Sequence, residues 1–274
     1  MFPTSSAIGV FLRACYRAPH QPSANEATLL RLITRTLLSA CLALAISALT
    51  LCALITWPEP LFAFSAGSGR IVVFSDRPIP LAGGERFLRE CDRLLDRSPL
   101  KAEGRQYRIY VTNDDWRQRL FFFPQPERWG FTWYPGFRGH AFLSGAEFDR
   151  SRIVHWGYVG TPPRTLAALC AHELTHVIAW EHIGLARWHV PQWVWEGLPD
   201  YVAIENRETF DQLRGALGDR PVDTSMQVKY GSYPRYRLLV TYFIEEKGWS
   251  VDQILQTRLT EDEATTIMRA EAQR

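Results

Sequence analysis

The chain has 274 residues, of which 46% are aliphatic or aromatic and 22% charged, with a formal net charge of +2. That balance is normal for a folded protein, without a low-complexity tract or an internal repeat, and it gives no dense basic patch of the kind a nucleic-acid binder carries. Among the five cysteines no C-x-x-C pair occurs, so a structural zinc ribbon is excluded as well.

Thr36–Trp57 is an uncharged apolar run (TLLSACLALAISALTLCALITW). As a helix it reaches about 33 Å, enough to cross a bilayer core. Arg13, Arg17, Arg31 and Arg35 precede it against one acid, Glu26. The positive-inside rule therefore places residues 1–35 in the cytoplasm and the rest of the chain on the periplasmic or extracellular side. A cleaved signal peptide is the competing reading, with Ala63-Phe64-Ser65 the nearest approach to a cleavage site. The run is long for a signal peptide, and an uncleaved signal anchor is expected. Residues 58–69 read as a linker, and residues 70–274 as one globular domain.

Within that domain Arg70–Ser75 and Tyr107–Thr112 have the composition of buried strands. Gly84–Arg97 between them has Phe87, Leu88, Cys91, Leu94 and Leu95 on one side of a helix. Residues 121–140 are rich in aromatic residues, Pro and Gly. They read as loops and short extended pieces that cover the core or form one wall of a cleft. Residues 140–159 hold one or two further strands, including Arg152–Trp156. Thr161, followed by Pro162 and Pro163, is an N-cap for a helix running to Ile183, where Gly184 stops it. Further helices are expected over Gln192–Arg207, Tyr236–Glu246 and Val251–Ala270. Strands first and helices second make an α+β domain. Cys91 and Cys170 are the cysteines of this domain, either paired or buried as free thiols.

The long helix carries His172-Glu173-Leu174-Thr175-His176, an H-E-x-x-H motif. Residues four apart lie one turn above each other, about 40° round the axis, so both imidazoles can reach one ion. Glu173 is turned by about 100° and can act on water held at an open coordination position. A catalytic zinc needs a third protein ligand. Glu196 follows His176 by 20 residues on the next helix. Asp200, four residues on, lies on the same face and can accept the second N–H of a ligand histidine. His182 is the rival third ligand, at the spacing of a longer three-histidine motif whose glycine position is Ala179. On a continuing helix His182 lies about 9 Å along from His176 and does not reach the ion. Pro199 lies inside the Glu196 helix, and a kink is expected there.

His172-Glu173-x-x-His176 followed by Glu196-x-x-x-Asp200 resembles the gluzincin zinc metallopeptidases of the thermolysin-like clan. Trp193 to Tyr201 is similar to their peptidase MA-like members. The resemblance covers roughly residues 160–250. It implies a zincin-like metallopeptidase domain, a Zn2+ cofactor and a peptide or protein substrate. His172, His176 and Glu196 would hold the metal, with Glu173 as general base and Asp200 behind a ligand histidine. In such peptidases a tyrosine ahead of a helix often steadies the oxyanion, which points to Tyr233, with Tyr230 and Tyr236 behind it. No histidine follows His189, so a downstream histidine is not available for that role. His140, His155 and His189 are read as structural or surface residues, and Cys170 as pointing into the core. Two rival readings stand beside this one. One is a non-catalytic descendant of the fold that binds or scaffolds at the membrane; the other is a metzincin-like peptidase using His182.

Overall fold

The structure, a computed structural model, describes residues 24–100, 104–134, 139–154, 164–204, 208–218 and 220–271. Thr161–Pro163 and His155 lie outside them, as does the end of the strand expected over Arg152–Trp156. The chain divides into two compact units, Met1–Cys52 and Ala53–Arg274.

Helix α1 spans Ala24–Thr56. It starts ahead of the apolar run because Arg31 and Arg35 are good helix formers and do not interrupt it. Within it Thr28–Thr56, at a mean hydropathy of 2.4, is long and apolar enough to cross a membrane. Leu37, Leu42, Leu44 and Leu49 along it are exposed. A helix apolar on every face has no polar side to turn to water.

The second unit is a mixed α+β domain. A five-stranded sheet has the order β1-β2-β3-β5-β4, formed by Phe64–Ser68, Ile71–Ser75, Tyr107–Thr112, His140–Ser144 and Gly130–Trp133 respectively. The central pairs β2–β3 and β3–β5 are parallel; the outer pairs β1–β2 and β4–β5 are antiparallel. Helix α2 (Leu81–Leu95) connects β2 to β3, as the expected strand–helix–strand start requires. Helix α3 (Asp115–Phe121) follows β3. A second, two-stranded sheet pairs β6 (Ala146–Glu147) with β7 (Arg152–Ile153).

The linker expected over residues 58–69 is corrected: these residues belong to the domain. Glu59–Leu61 form a 3-10 turn, Phe62 is buried, and Phe64–Ser68 is the edge strand β1. Pairing with β2 defines β1 rather than any apolar pattern, since most of its residues are exposed. Glu59 takes hydrogen bonds from Arg108 and from the Tyr110 hydroxyl at 3.0 Å, which fastens this segment to β3.

Side-chain alternation divides the sheet between two cores. Ile71, Val73, Ile109, Val111, Ala141 and Leu143 face the large core with the helices. Tyr110 and Phe142 face the other way, against Phe62, Phe121 and Phe122. Phe121 stacks on Phe142 at 4.6 Å. The aromatic residues at 121–122 are therefore core rather than cleft.

Helix α4 (Leu166–Ile183) packs on the large-core side and is buried from Leu166 to Ala179. Its N-cap is Thr165, whose side chain accepts from the Ala168 N–H, instead of the expected Thr161. Gly184 ends it, as its sequence indicates, and a 3-10 turn over Gly184–His189 leads to α5 (Gln192–Ala203). Helix α5 continues through Pro199 and stops short of the expected Arg207. Two short capped helices absent from the sequence reading follow, α6 (Phe210–Leu217) and α7 (Thr224–Tyr230). Helix α8 covers Pro234–Thr241 and passes into a π turn over Tyr242–Glu246. The single helix expected over Val251–Ala270 is two, α9 (Val251–Gln256) and α10 (Glu261–Glu271). Cys91 and Cys170 are buried free thiols.

Candidate metal centre

Helices α4, α5 and the turn before α8 meet at one place because small residues let them approach. A Cβ on Gly197 would lie 2.6 Å from the Tyr236 carbonyl oxygen and 2.9 Å from Val240, so α5 needs glycine there to close on α8. Glu196 is thereby brought over the histidines of α4.

The ligand atoms converge. Glu196 Oε2 lies 3.5 Å from His172 Nε2 and 3.6 Å from His176 Nε2. Tetrahedral zinc with bonds of about 2.0–2.1 Å separates its ligand atoms by about 3.3 Å. The three donors therefore already stand near the spacing of a metal's coordination sphere, and all lie within 4.8 Å of one another. Both histidines are buried and Glu196 is nearly so. His176 Nδ1, also buried, has no hydrogen-bond partner among the described residues. The donor set, two imidazoles and a carboxylate, suits zinc. Burial alone would raise the Glu196 carboxyl, yet hydrogen bonds from His172 and His176 hold it well below the usual carboxylate range.

Asp200, fully buried, stands behind His172 with Oδ1 2.9 Å from Nδ1. It also pairs with Arg164 and accepts the Tyr233 backbone N–H at 2.7 Å. Arg164 Nη1 is 2.7 Å from the same Nδ1. One ring nitrogen cannot serve both neighbours. A proton on Nδ1 makes it a donor to Asp200 and leaves the Nε2 lone pair for a metal, so the metal-holding tautomer selects the carboxylate. Although burial pushes the Asp200 carboxyl up, the Arg164 charge and the His172 hydrogen bond bring it below the ordinary value.

Arg164 was not legible in the sequence. Its side chain is 7% exposed and its partner's 0%. Removing one member of such a buried pair strands the other's charge, at a cost of about 3–5 kcal/mol. Arg164→Met is expected to lower the melting temperature by about 6–20 °C. Arg164→Met with Asp200→Asn is expected to recover part of that loss, read by thermal unfolding of the two purified variants.

Glu173 points toward β4. Its Oε2 accepts the Thr132 hydroxyl at 2.7 Å, and a Cβ on Gly130 would lie 2.8 Å from its carboxyl carbon. Glycine at 130 is thus what gives Glu173 its room. Among the described residues no cation pairs with this buried carboxylate. Tyr134, the next residue after β4, stacks on Trp180 at 4.5 Å. Burial and the charge of Glu173 push its hydroxyl well above the usual tyrosine value.

The structure brings Tyr233 to the cluster. Its ring lies nearly parallel to that of His172 at 6.3 Å, and it also stacks with Tyr236 at 5.8 Å. Burial, then the charges of Glu196 and Asp200, push the Tyr233 hydroxyl up to about 12. Tyr230 is set apart at the end of α7, where its carbonyl accepts from Arg237. His182 is elsewhere. It is 44% exposed and pairs with Asp252 at 2.5 Å, so α4 runs straight past it as a continuing helix requires. His140 is buried against the Thr56 carbonyl at 3.0 Å, and His189 is exposed. Trp195, which sequence reasoning passed over, lies 4.9 Å from the His176 ring.

No protein-family model matches the sequence, and no curated protein matches it significantly.

Proposed function

We propose that the chain is a membrane-anchored zinc metallopeptidase of gluzincin type, with a zincin-like domain on the periplasmic or extracellular side. One observation carries the reading: the ligand atoms of His172, His176 and Glu196 all lie within 4.8 Å of one another, while Glu173, next to His172 on α4 and held by Thr132, has no ion-pair partner among the described residues. A carboxylate kept buried and unpaired costs free energy that packing alone would not retain.

His172, His176 and Glu196 would hold zinc, which would supply a Lewis acid able to lower the pKa of water and polarise a carbonyl. Glu173 takes the proton of the attacking water and passes it to the leaving amine. The Thr132 hydroxyl fixes the oxygen that does this. The Tyr233 hydroxyl, which even an ordinary tyrosine keeps protonated at neutral pH, donates to the developing oxyanion. Asp200, itself fixed by Arg164, holds the His172 ring in place. Strand β4 is the edge of the sheet beside Glu173, and an extended peptide can add to such an edge through its main chain. The arginines before the apolar helix orient the anchor with its N-terminus in the cytoplasm.

The full-length protein purified in detergent is expected to carry stoichiometric zinc by elemental analysis. Removal with 1,10-phenanthroline should stop cleavage of a fluorogenic peptide library, and added zinc should restore it. Protein that binds no zinc, or cleavage indifferent to chelation, overturns the proposal.

A further inference from the structure

Arg187 is a cation near the metal cluster to which the mechanism gives no work. It sits in the 3-10 turn after α4, with its guanidinium carbon 3.9 Å from the centre of the Trp195 ring and 5.9 Å from that of Trp188. The Trp195 ring in turn lies 4.9 Å from His176, and Trp195 directly precedes Glu196. Tyr134 and Glu196 are the ionisable groups whose field it feels. The guanidinium is therefore held one aromatic ring away from the ligands.

Among the described residues Arg187 makes no ion pair and no side-chain hydrogen bond. A guanidinium stacked on a ring keeps its five N–H donors in plane and free. If Arg187 served only to balance Glu196, a direct pair between them would be expected, and none is present. Charge counting leads the same way. With zinc bound, Glu173, Glu196 and Asp200 would be set against Arg164, Arg187 and a dication, which would leave a positive excess. With a metal bound, Glu196 would be taken up as its ligand, and the half-buried Arg187 would then have no paired anion among the described residues.

We propose that Arg187 is a specificity residue that receives a carboxylate of the bound peptide, so the site selects peptides carrying a carboxylate close to the scissile bond. The planar fork matches that group with paired hydrogen bonds. The carboxylate is supplied either by the peptide's C-terminus or by an Asp or Glu side chain. The inference rests on the peptidase reading for its substrate class.

The test uses matched probes: an N-acetylated hexapeptide of Ala, Leu and Phe as free acid and as amide, and amidated versions with a single Glu or Gln scanned through the positions. Values of kcat/KM are measured on the full-length protein. Equilibrium binding is measured by calorimetry on the zinc-loaded Glu173→Gln variant. One acid probe is expected to exceed its neutral partner by about tenfold or more in both measurements. Arg187→Met should bring the ratio to about one, and Arg187→Lys, a charge without the fork, should keep only part of it. A free-acid preference assigns the chain terminus; a Glu preference assigns a side chain. Equal binding of acid and neutral probes, binding of none, or a ratio unchanged in Arg187→Met overturns the inference. Preference in binding with no turnover by the wild type removes the peptidase reading and leaves Arg187 its role. Turnover without preference does the reverse.

Discussion

Glu196→Ala is expected to release the metal. In the structure Glu196 Oε2 is the atom common to both imidazoles, 3.5 Å from one Nε2 and 3.6 Å from the other, and no described histidine, cysteine or acid completes a rival set with them. A carboxylate that only supports a ligand is worth about 10–100-fold in metal affinity. Loss of a ligand itself should exceed that range, as read by competition with a chromophoric chelator. Glu196→Gln retains the shape but loses the charge, and should fall between wild type and Ala. His182→Ala separates the two sequence readings of the third ligand. Its imidazole is engaged with Asp252 at the surface, so zinc affinity should not change. Wild-type affinity in Glu196→Ala, or loss of zinc in His182→Ala, would overturn the ligand set.

The contrast between Glu196 and His182 also shows what the sequence could convey. Helical spacing is rigid, so His172 and His176 were legible as one face. The same rigidity carried His182 past the site. Glu196 and Asp200 were legible because a short connection, Gly184–Val190, folds one helix back on another. Tyr233 was legible through family resemblance alone. Arg164, Thr132, Trp195 and Arg187 were not, because each reaches the site through a packing contact rather than through a spacing. Thr132 meets Glu173 across 41 positions of sequence, and Arg164 meets Asp200 across 36. Nothing in either segment alone marks such a meeting.

The errors in the fold have two different causes. Strand β1 (FSAGS) has no buried face to give it a pattern, and only its pairing with β2 reveals it. The break between α9 and α10, by contrast, is marked in the sequence. Ser250 with Gln253 and Thr260 with Glu263 are two capping boxes, and each satisfies the free N–H groups of its own helix start. Two starts in a stretch read as one helix require an end between them.

Glu173→Gln should cost the most activity for the smallest structural change. Glutamine has the volume of glutamate, and its carbonyl oxygen can still accept the Thr132 hydroxyl that Glu173 accepts at 2.7 Å. The pocket that Gly130 leaves open still fits it. Its amide cannot take a proton, however, and removal of a positioned general base costs about 10²–10⁴ in rate. At about 1.4 kcal/mol per tenfold, that is about 3–5 kcal/mol of transition-state stabilisation. Zinc content should stay stoichiometric, because Glu173 is not among the converging ligands. Thermal stability should hold or rise, since the variant removes a buried carboxylate that no described cation balances. Turnover, zinc and melting temperature measured on one preparation therefore separate three cases. Lost turnover with zinc and fold intact supports Glu173 as the proton carrier. Turnover that persists assigns the Thr132–Glu173 contact to packing and sends the proton elsewhere. Zinc lost along with turnover would place Glu173 among the ligands, against the geometry that points it at β4.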